Sequence, residues 1–276
     1  PLNSSLIKGS QSLFGIKSEM QFGRLRLTTV FSQQKGESKT IEVSGGALTK
    51  EFEIRADSYE ANKHFFLSHF FKDSYDGALV NLPFVSSQIQ ITQLEVWTTN
   101  NNFGNVQNAR NILAMTDMGT SVADQLSDET LQLTGSGVPL NEANNLYADL
   151  ESGGAREFNN ITSVMAAKGY EEGVHYNKIE NAKKLTPSEY TFNPLLGYIS
   201  LNRSVNNDEI VGVSFQYTYN GKVYQVGDIS TMATDLENDD VLFLKLIKST
   251  QVNNTEIPLW ELMMKNVYAL GEYNVK

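Results

Sequence analysis

The sequence predicts an α+β fold, a mixed and mostly antiparallel sheet with packed helices, entered through a two-stranded amphipathic ribbon. Three observations carry this expectation. Residues 12–33 alternate apolar and polar positions with period two on either side of Gly23-Arg24. Further on, apolar stretches are punctuated by turn residues, most clearly Asn220-Gly221. Between these lie stretches whose apolar residues recur at helical spacing, such as Ala143, Leu146, Tyr147 and Leu150.

The ribbon comes first. One face of Ser12–Phe22 carries Phe14, Ile16, Ser18, Met20 and Phe22, and the other carries Leu13, Gly15, Lys17, Glu19 and Gln21. In Arg24–Gln33 the apolar face holds Leu25, Leu27, Thr29 and Phe31. A two-residue loop with Gly first is the type II′ pattern. Closed at Gly23-Arg24, it pairs Phe22 with Leu25, Met20 with Leu27, Ser18 with Thr29 and Ile16 with Phe31. On pattern alone the ribbon is either the edge of a soluble sheet or a pair of barrel staves, since each strand is close to the roughly 9–11 residues that span an outer membrane.

Residues 34–39 read as a loop, Thr40–Val43 as extended, Ser44-Gly45-Gly46 as a turn and Glu51–Arg55 as a short strand. Asp57, with Glu60 three residues on, predicts a capping box and a helix running through His64 and Phe71 to about Tyr75. Gln88–Thr98 reads as a strand bulged near Thr92, Asn111–Met115 as another, and Ser121–Pro139 as a surface loop. Two helices follow, the first capped by Asn141. The second carries Phe158, Ile161, Val164 and Met165 and ends at Gly169. Strands are expected at His175–Asn181 and Gly197–Leu201. A hairpin of Ile210–Tyr219 with Lys222–Asp228 should set Tyr217 against Tyr224 and Phe215 against Val226. Val241–Lys248 fits strand or helix. Pro258 opens a last helix with Trp260, Met263, Met264, Val267 and Leu270, stopped by Gly271.

Composition narrows the function. The net charge of −10 argues against nucleic acid and against anionic lipid surfaces. The absence of cysteine removes thiolate and zinc–cysteine chemistry. His64 and His69, five apart, do not share a helix face as a ligand pair would, and His175 stands alone. Asp235, Glu237, Asp239 and Asp240 lack the glycine and terminal Glu spacing of a calcium loop. Gly135-Ser136-Gly137 lacks the remainder of a dinucleotide loop. No catalytic, metal or cofactor residues are therefore expected. A soluble cell-surface binding module, an adhesin or glycan binder, is the alternative that the aromatic content and the many Asn residues support. Leu2–Lys8 reads as the end of a connection and Glu272–Lys276 as the start of a strand, so a segment of a longer protein is expected.

Several blocks, in order, resemble the SprA/Sov family, the outer-membrane translocons of the type IX secretion system of Bacteroidetes, also tied to gliding motility. They include Ser12-Leu13-Phe14-Gly15-Ile16-Lys17 with Gln21-Phe22-Gly23, Asn62-Lys63-His64-Phe65-Phe66-Leu67, Lys178-Ile179-Glu180-Asn181-Ala182 and Pro187-Ser188-Glu189-Tyr190-Thr191-Phe192. Asn220-Gly221-Lys222-Val223-Tyr224-Gln225-Val226-Gly227 and Leu262-Met263-Met264-Lys265-Asn266-Val267-Tyr268 extend the set. The resemblance implies a very large outer-membrane β-barrel that passes folded cargo and catalyses no bond chemistry. It also implies as partners secreted cargo, a PorV-type barrel protein and a periplasmic plug. With it, residues 1–33 become barrel strands, residues 34–271 an α+β domain inserted as part of an extracellular cap, and residues 272–276 the start of a returning strand. Phe14, Ile16, Met20, Phe22, Leu25, Leu27 and Phe31 then face lipid, and Gly23 and Arg24 form a periplasmic turn.

Overall fold

The computed structural model describes residues 12–35, 54–101, 109–233, 236–237, 239–251 and 258–270. Thr40–Val43, the 44–46 turn, residues 51–53 and 271–276 lie outside the described residues, as does Asp235. The chain divides into two compact units, Pro1–Phe52 and Glu53–Lys276.

The first unit holds β1 (Ser12–Phe22) and β2 (Leu25–Lys35), an antiparallel pair. Phe22 opposes Leu25, Met20 opposes Leu27, Ser18 opposes Thr29 and Ile16 opposes Phe31, the register the turn chemistry dictates. Gly23 takes φ 63° and Arg24 does not take positive φ, as a type II′ turn requires.

The second unit is built on a small closed barrel. Strand β9 (Val211–Tyr219) pairs along one edge with β4 (Ile89–Thr98). Its other edge is shared by β11 (Leu242–Lys248), which pairs near Val211–Val213, and β10 (Lys222–Val226), which takes over from Phe215 to Tyr219. From β11 the ring continues to β5 (Arg110–Met115), β6 (Tyr176–Lys184) and back to β4. Only the β11–β5 ladder within this sheet is parallel. The register of β4 shifts between Ile91 and Gln93, at the expected bulge. Asn220 (φ 49°) and Gly221 (φ 75°) make the turn between β9 and β10, and Tyr217 meets Tyr224 as the pattern requires.

The barrel wall is apolar on both faces, which explains why Val241–Lys248 gave no period. Every residue of β11 is buried. A Cβ on Gly212 would lie 3.2 Å from Leu244 and 3.3 Å from Ala114, so this face of β9 is the concave one. Across the ladder Gly212 faces Trp97, a small residue against a large one inside a narrow barrel. The convex face carries Val211, Val213, Phe215 and Tyr217, and helix α1 (His69–Leu79) covers it. The ring of Phe71 stands 5.6 Å from Phe215 and 5.4 Å from Tyr217. A second antiparallel sheet orders β3 (His64–Phe66), β8 (Tyr198–Leu201) and β7 (Tyr190–Asn193). Helices α2 (Leu146–Ser152) and α3 (Ile161–Ala167) bury Leu146, Leu150, Ile161 and Met165. Lys168 caps α3, and Gly169 follows at φ 74°.

Three expected helices are corrected. The stretch from Asp57 is not helical before His69. Asn62 turns at φ 56°, and His64–Phe66 joins β8 as a strand buried on both sides, which destroys any alternation. Asp57 pairs with Arg55 rather than capping, and Glu60 binds Lys63 and His64. Asn141 opens only a 3-10 turn over Asn141–Ala143, because its side-chain oxygen accepts the N–H of Gly227 at 2.7 Å. The last helix shrinks to a 3-10 segment, Pro258–Leu262. Met263 bridges Phe65, and the N–H of Met264 donates to the His64 carbonyl at 2.9 Å, so this stretch lines the edge of β3 instead. Strand β7 lies between the two expected strands, where none was expected.

Candidate functional site

Alternation and the observed register place Met20, Phe22 and Leu27 on one face of the β1–β2 ribbon, with Gly23 and Arg24 at its tip, while the side chains of Phe14, Ile16, Leu25 and Phe31 lie outside the described ones. Among those whose side chains are described, Phe22 is 65% exposed, Leu27 49% and Met20 43%. The opposite face carries Glu19, Gln21, Arg26, Thr28 and Val30, the last 63% exposed. Each strand has eleven residues. At about 3.4 Å per residue it reaches about 37 Å, and a ~45° tilt covers ~26 Å of depth, the height of an outer-membrane apolar band. An isolated two-stranded ribbon is marginal in water, and a contiguous apolar face calls for a covering surface.

Several buried charged residues of the second unit bond to its own loops. Glu95 accepts hydrogen bonds from Lys184 at 2.6 Å, from the N–H and hydroxyl of Ser230 at 2.9 Å each, and from Trp97 at 3.3 Å. Asp228 accepts from Tyr147 and the N–H of Phe243, both at 2.7 Å, and pairs with Arg156. Glu209 takes both nitrogens of Arg203 at 2.7 Å, and that contact holds its carboxyl below the usual range. Lys245 is 1% exposed. Its ammonium donates to the carbonyls of Thr116 (3.0 Å) and Met118 (3.1 Å) and to the Thr120 hydroxyl (3.3 Å). Burial lowers its pKa to about 8. Burial also raises that of Asp117, whose carboxylate gathers the N–H groups of Ser127 and Asp128 at 2.9 Å each. These pairs pin the 116–128 segment and the loop after β10 to the barrel. Each of the three carboxylates Glu95, Asp228 and Glu209 is held by charge-assisted hydrogen bonds.

The three histidines sit apart. His64 bridges Ser200 (2.7 Å) and Glu60 (3.0 Å). His69 donates from Nε2 to the Pro258 carbonyl at 2.8 Å, and burial lowers its pKa to about 4. His175 accepts the N–H of Glu171 and stacks on Tyr170. In the acidic loop, Asp240 accepts the N–H of Glu237, and the carbonyls of both take Arg110. No cluster of three metal-ligating side chains occurs among the described residues. The buried pair Asp228–Arg156 and the separately bonded Lys245 and Asp117 were not read from the sequence. Lys245 in the middle of an apolar run was the available signal.

The family model SprA_N, described as "Motility related/secretion protein", matches residues 1–220, which take in the ribbon and the body through β9. No curated protein matches the chain.

Proposed function

The chain belongs to the SprA/Sov family of motility-related and secretion proteins, and from that membership we propose that it is a segment of an outer-membrane, protein-conducting translocon. On this reading β1 and β2 are staves of a parent barrel. Phe14, Ile16, Met20, Phe22, Leu25, Leu27 and Phe31 face lipid, and Gly23-Arg24 turns at the periplasmic side, where such barrels keep their short turns. The body from β3 onward is then an extracellular cap, a scaffold that shapes the exit for cargo without bond chemistry. Its partners are the secreted proteins, a PorV-type barrel protein and a periplasmic plug.

The observation that carries the reading is the ribbon itself, two eleven-residue strands with Met20, Phe22 and Leu27 exposed on one face. The long insertion that it requires costs little, because loop-closure entropy grows only with the logarithm of length. The 121–139 stretch tests the sidedness, since it exposes Thr134–Gly137. Proteinase K added to intact cells should cut it. Cleavage only after the outer membrane is permeabilised would refute an extracellular cap.

A further inference from the structure

The loop between α1 and β4 carries an apolar tip in solvent. Phe84 is 77% exposed, Val80 76% and Leu82 68%, and no other large apolar side chain among the described residues is as exposed. All three fall within Val80–Phe84. The loop's own bonds hold them out. The N–H of Ser86 donates to the Ala78 carbonyl at 2.9 Å, and that of Phe84 to the Asn81 carbonyl at 3.0 Å. The tip is therefore a closed turn, and its apolar side chains point away from the body that could have buried them. Such a patch marks an interaction surface.

The charge pattern points to the occupant. Charged residues make up 20% of the chain, yet none lies between Asp76 and Glu95, the longest such interval in the sequence. The side chains around the tip are Asn81, Ser86, Ser87 and Gln88, neutral groups that exchange hydrogen bonds. A folded partner would leave the rim of its interface wet and free to carry charge. A bilayer penalises charge through the whole depth to which a loop enters, while neutral polar flanks meet its headgroups without that cost. The net charge of −10 opposes an anionic surface, so the matching headgroup is zwitterionic. Depth follows from the backbone. A turn cannot carry its open N–H and C=O groups into hydrocarbon, so only the side chains enter.

We infer that Val80, Leu82 and Phe84 dip into the headgroup–acyl boundary of a bilayer of zwitterionic lipid, a membrane contact separate from the ribbon. The inference rests on the reading that the chain lies at a membrane.

The chain has no cysteine, so a single introduced thiol takes a label uniquely. Asn81→Cys carrying the environment-sensitive dye NBD puts a reporter in the tip and leaves the three apolar side chains in place. With phosphatidylcholine vesicles its emission should shift to the blue, and lipids with a doxyl group just below the headgroup should quench it. Adding phosphatidylglycerol to the vesicles should not strengthen the response. Leu82→Ser with Phe84→Ser should move the tip's partition equilibrium about tenfold or more toward water. The melting temperature should hold, because the side chains removed are exposed. A label on Ser136→Cys, in the exposed 134–137 loop, should not respond. No doxyl quenching at position 81 overturns the inference. So does quenching that survives the double substitution, which would come from the dye, and a blue shift without quenching, which would be a protein contact. A label on Leu27→Cys reports the ribbon separately. Response there with none at position 81 sinks the inference and leaves the ribbon reading standing. Response at position 81 alone does the reverse.

Discussion

Asp228→Ala is expected to destabilise the body by about 3–5 kcal/mol, the cost of removing one partner from a buried ion pair. Asp228 is 4% exposed and has three donors, Tyr147, the N–H of Phe243 and Arg156. The Arg156 guanidinium lies 3.7 Å from the centre of the Phe243 ring and also donates to the Val241 carbonyl at 3.0 Å. Without the carboxylate that cation stays over an aromatic face, with Glu151 (half-exposed) as its remaining acid. The N–H of Phe243 loses its acceptor at the start of β11, the strand that closes the barrel between β9 and β5. Asp228→Asn keeps an acceptor but not the charge and should fall between parent and alanine. Urea unfolding followed by Trp fluorescence measures both. A loss under about 1 kcal/mol for the alanine variant, the value of an exposed pair, would show that the cluster does not hold this part of the barrel.

Gly197→Ala should cost about as much, roughly 2–5 kcal/mol, through two independent effects. Gly197 stands at φ 64°, where a Cβ costs about 1–2 kcal/mol. That Cβ would also lie 2.4–2.8 Å from Phe71 atoms, an overpacking worth typically 1–3 kcal/mol. Phe71 is fully buried and wedged against Phe70, Phe215 and Tyr217, so it cannot retreat. The turn also fixes β3 to β8, because the Gly197 carbonyl accepts the N–H of Leu67 at 3.0 Å. Gly169→Ala is the control. It has the same backbone requirement at φ 74° but meets nothing within 4 Å, so it should lose only the backbone part. Equal losses for the two variants would remove Phe71 from the account.

Local chemistry was legible in the sequence wherever a turn residue set a register. Gly23 and Asn220-Gly221 fixed both hairpins pair by pair, and Thr92 sits at the register shift of β4. The failures share one cause. The residues His64, Phe65 and Phe66 are all buried, so neither a two-residue nor a 3.6-residue period survives. Met263 and Met264 carry a helical stripe but are claimed by the edge of β3, a contact some 200 positions away in sequence. Barrel closure is equally non-local, since β9 meets β4 on one edge and two successive strands on the other. For the ribbon, the strand pairing followed from the turn, because the register of a two-residue hairpin is set locally.

The central claim is that this face lies against lipid, and an arginine scan across it tests that most directly. Leu27 and Thr28 are neighbours in β2 on opposite faces of the ribbon, and both are exposed. In the parent protein expressed in its own outer membrane, Leu27→Arg, at a position between the periplasmic turn and mid-depth, should cost barrel stability by an amount between the roughly 0–1 kcal/mol of the interface and the roughly 2–4 kcal/mol of the midplane. The measurement is the fraction of heat-resistant, membrane-assembled protein, which should fall sharply for Leu27→Arg and hold for Thr28→Arg. Equal assembly of the two variants would contradict a lipid-facing ribbon and return β1 and β2 to the edge of a soluble sheet.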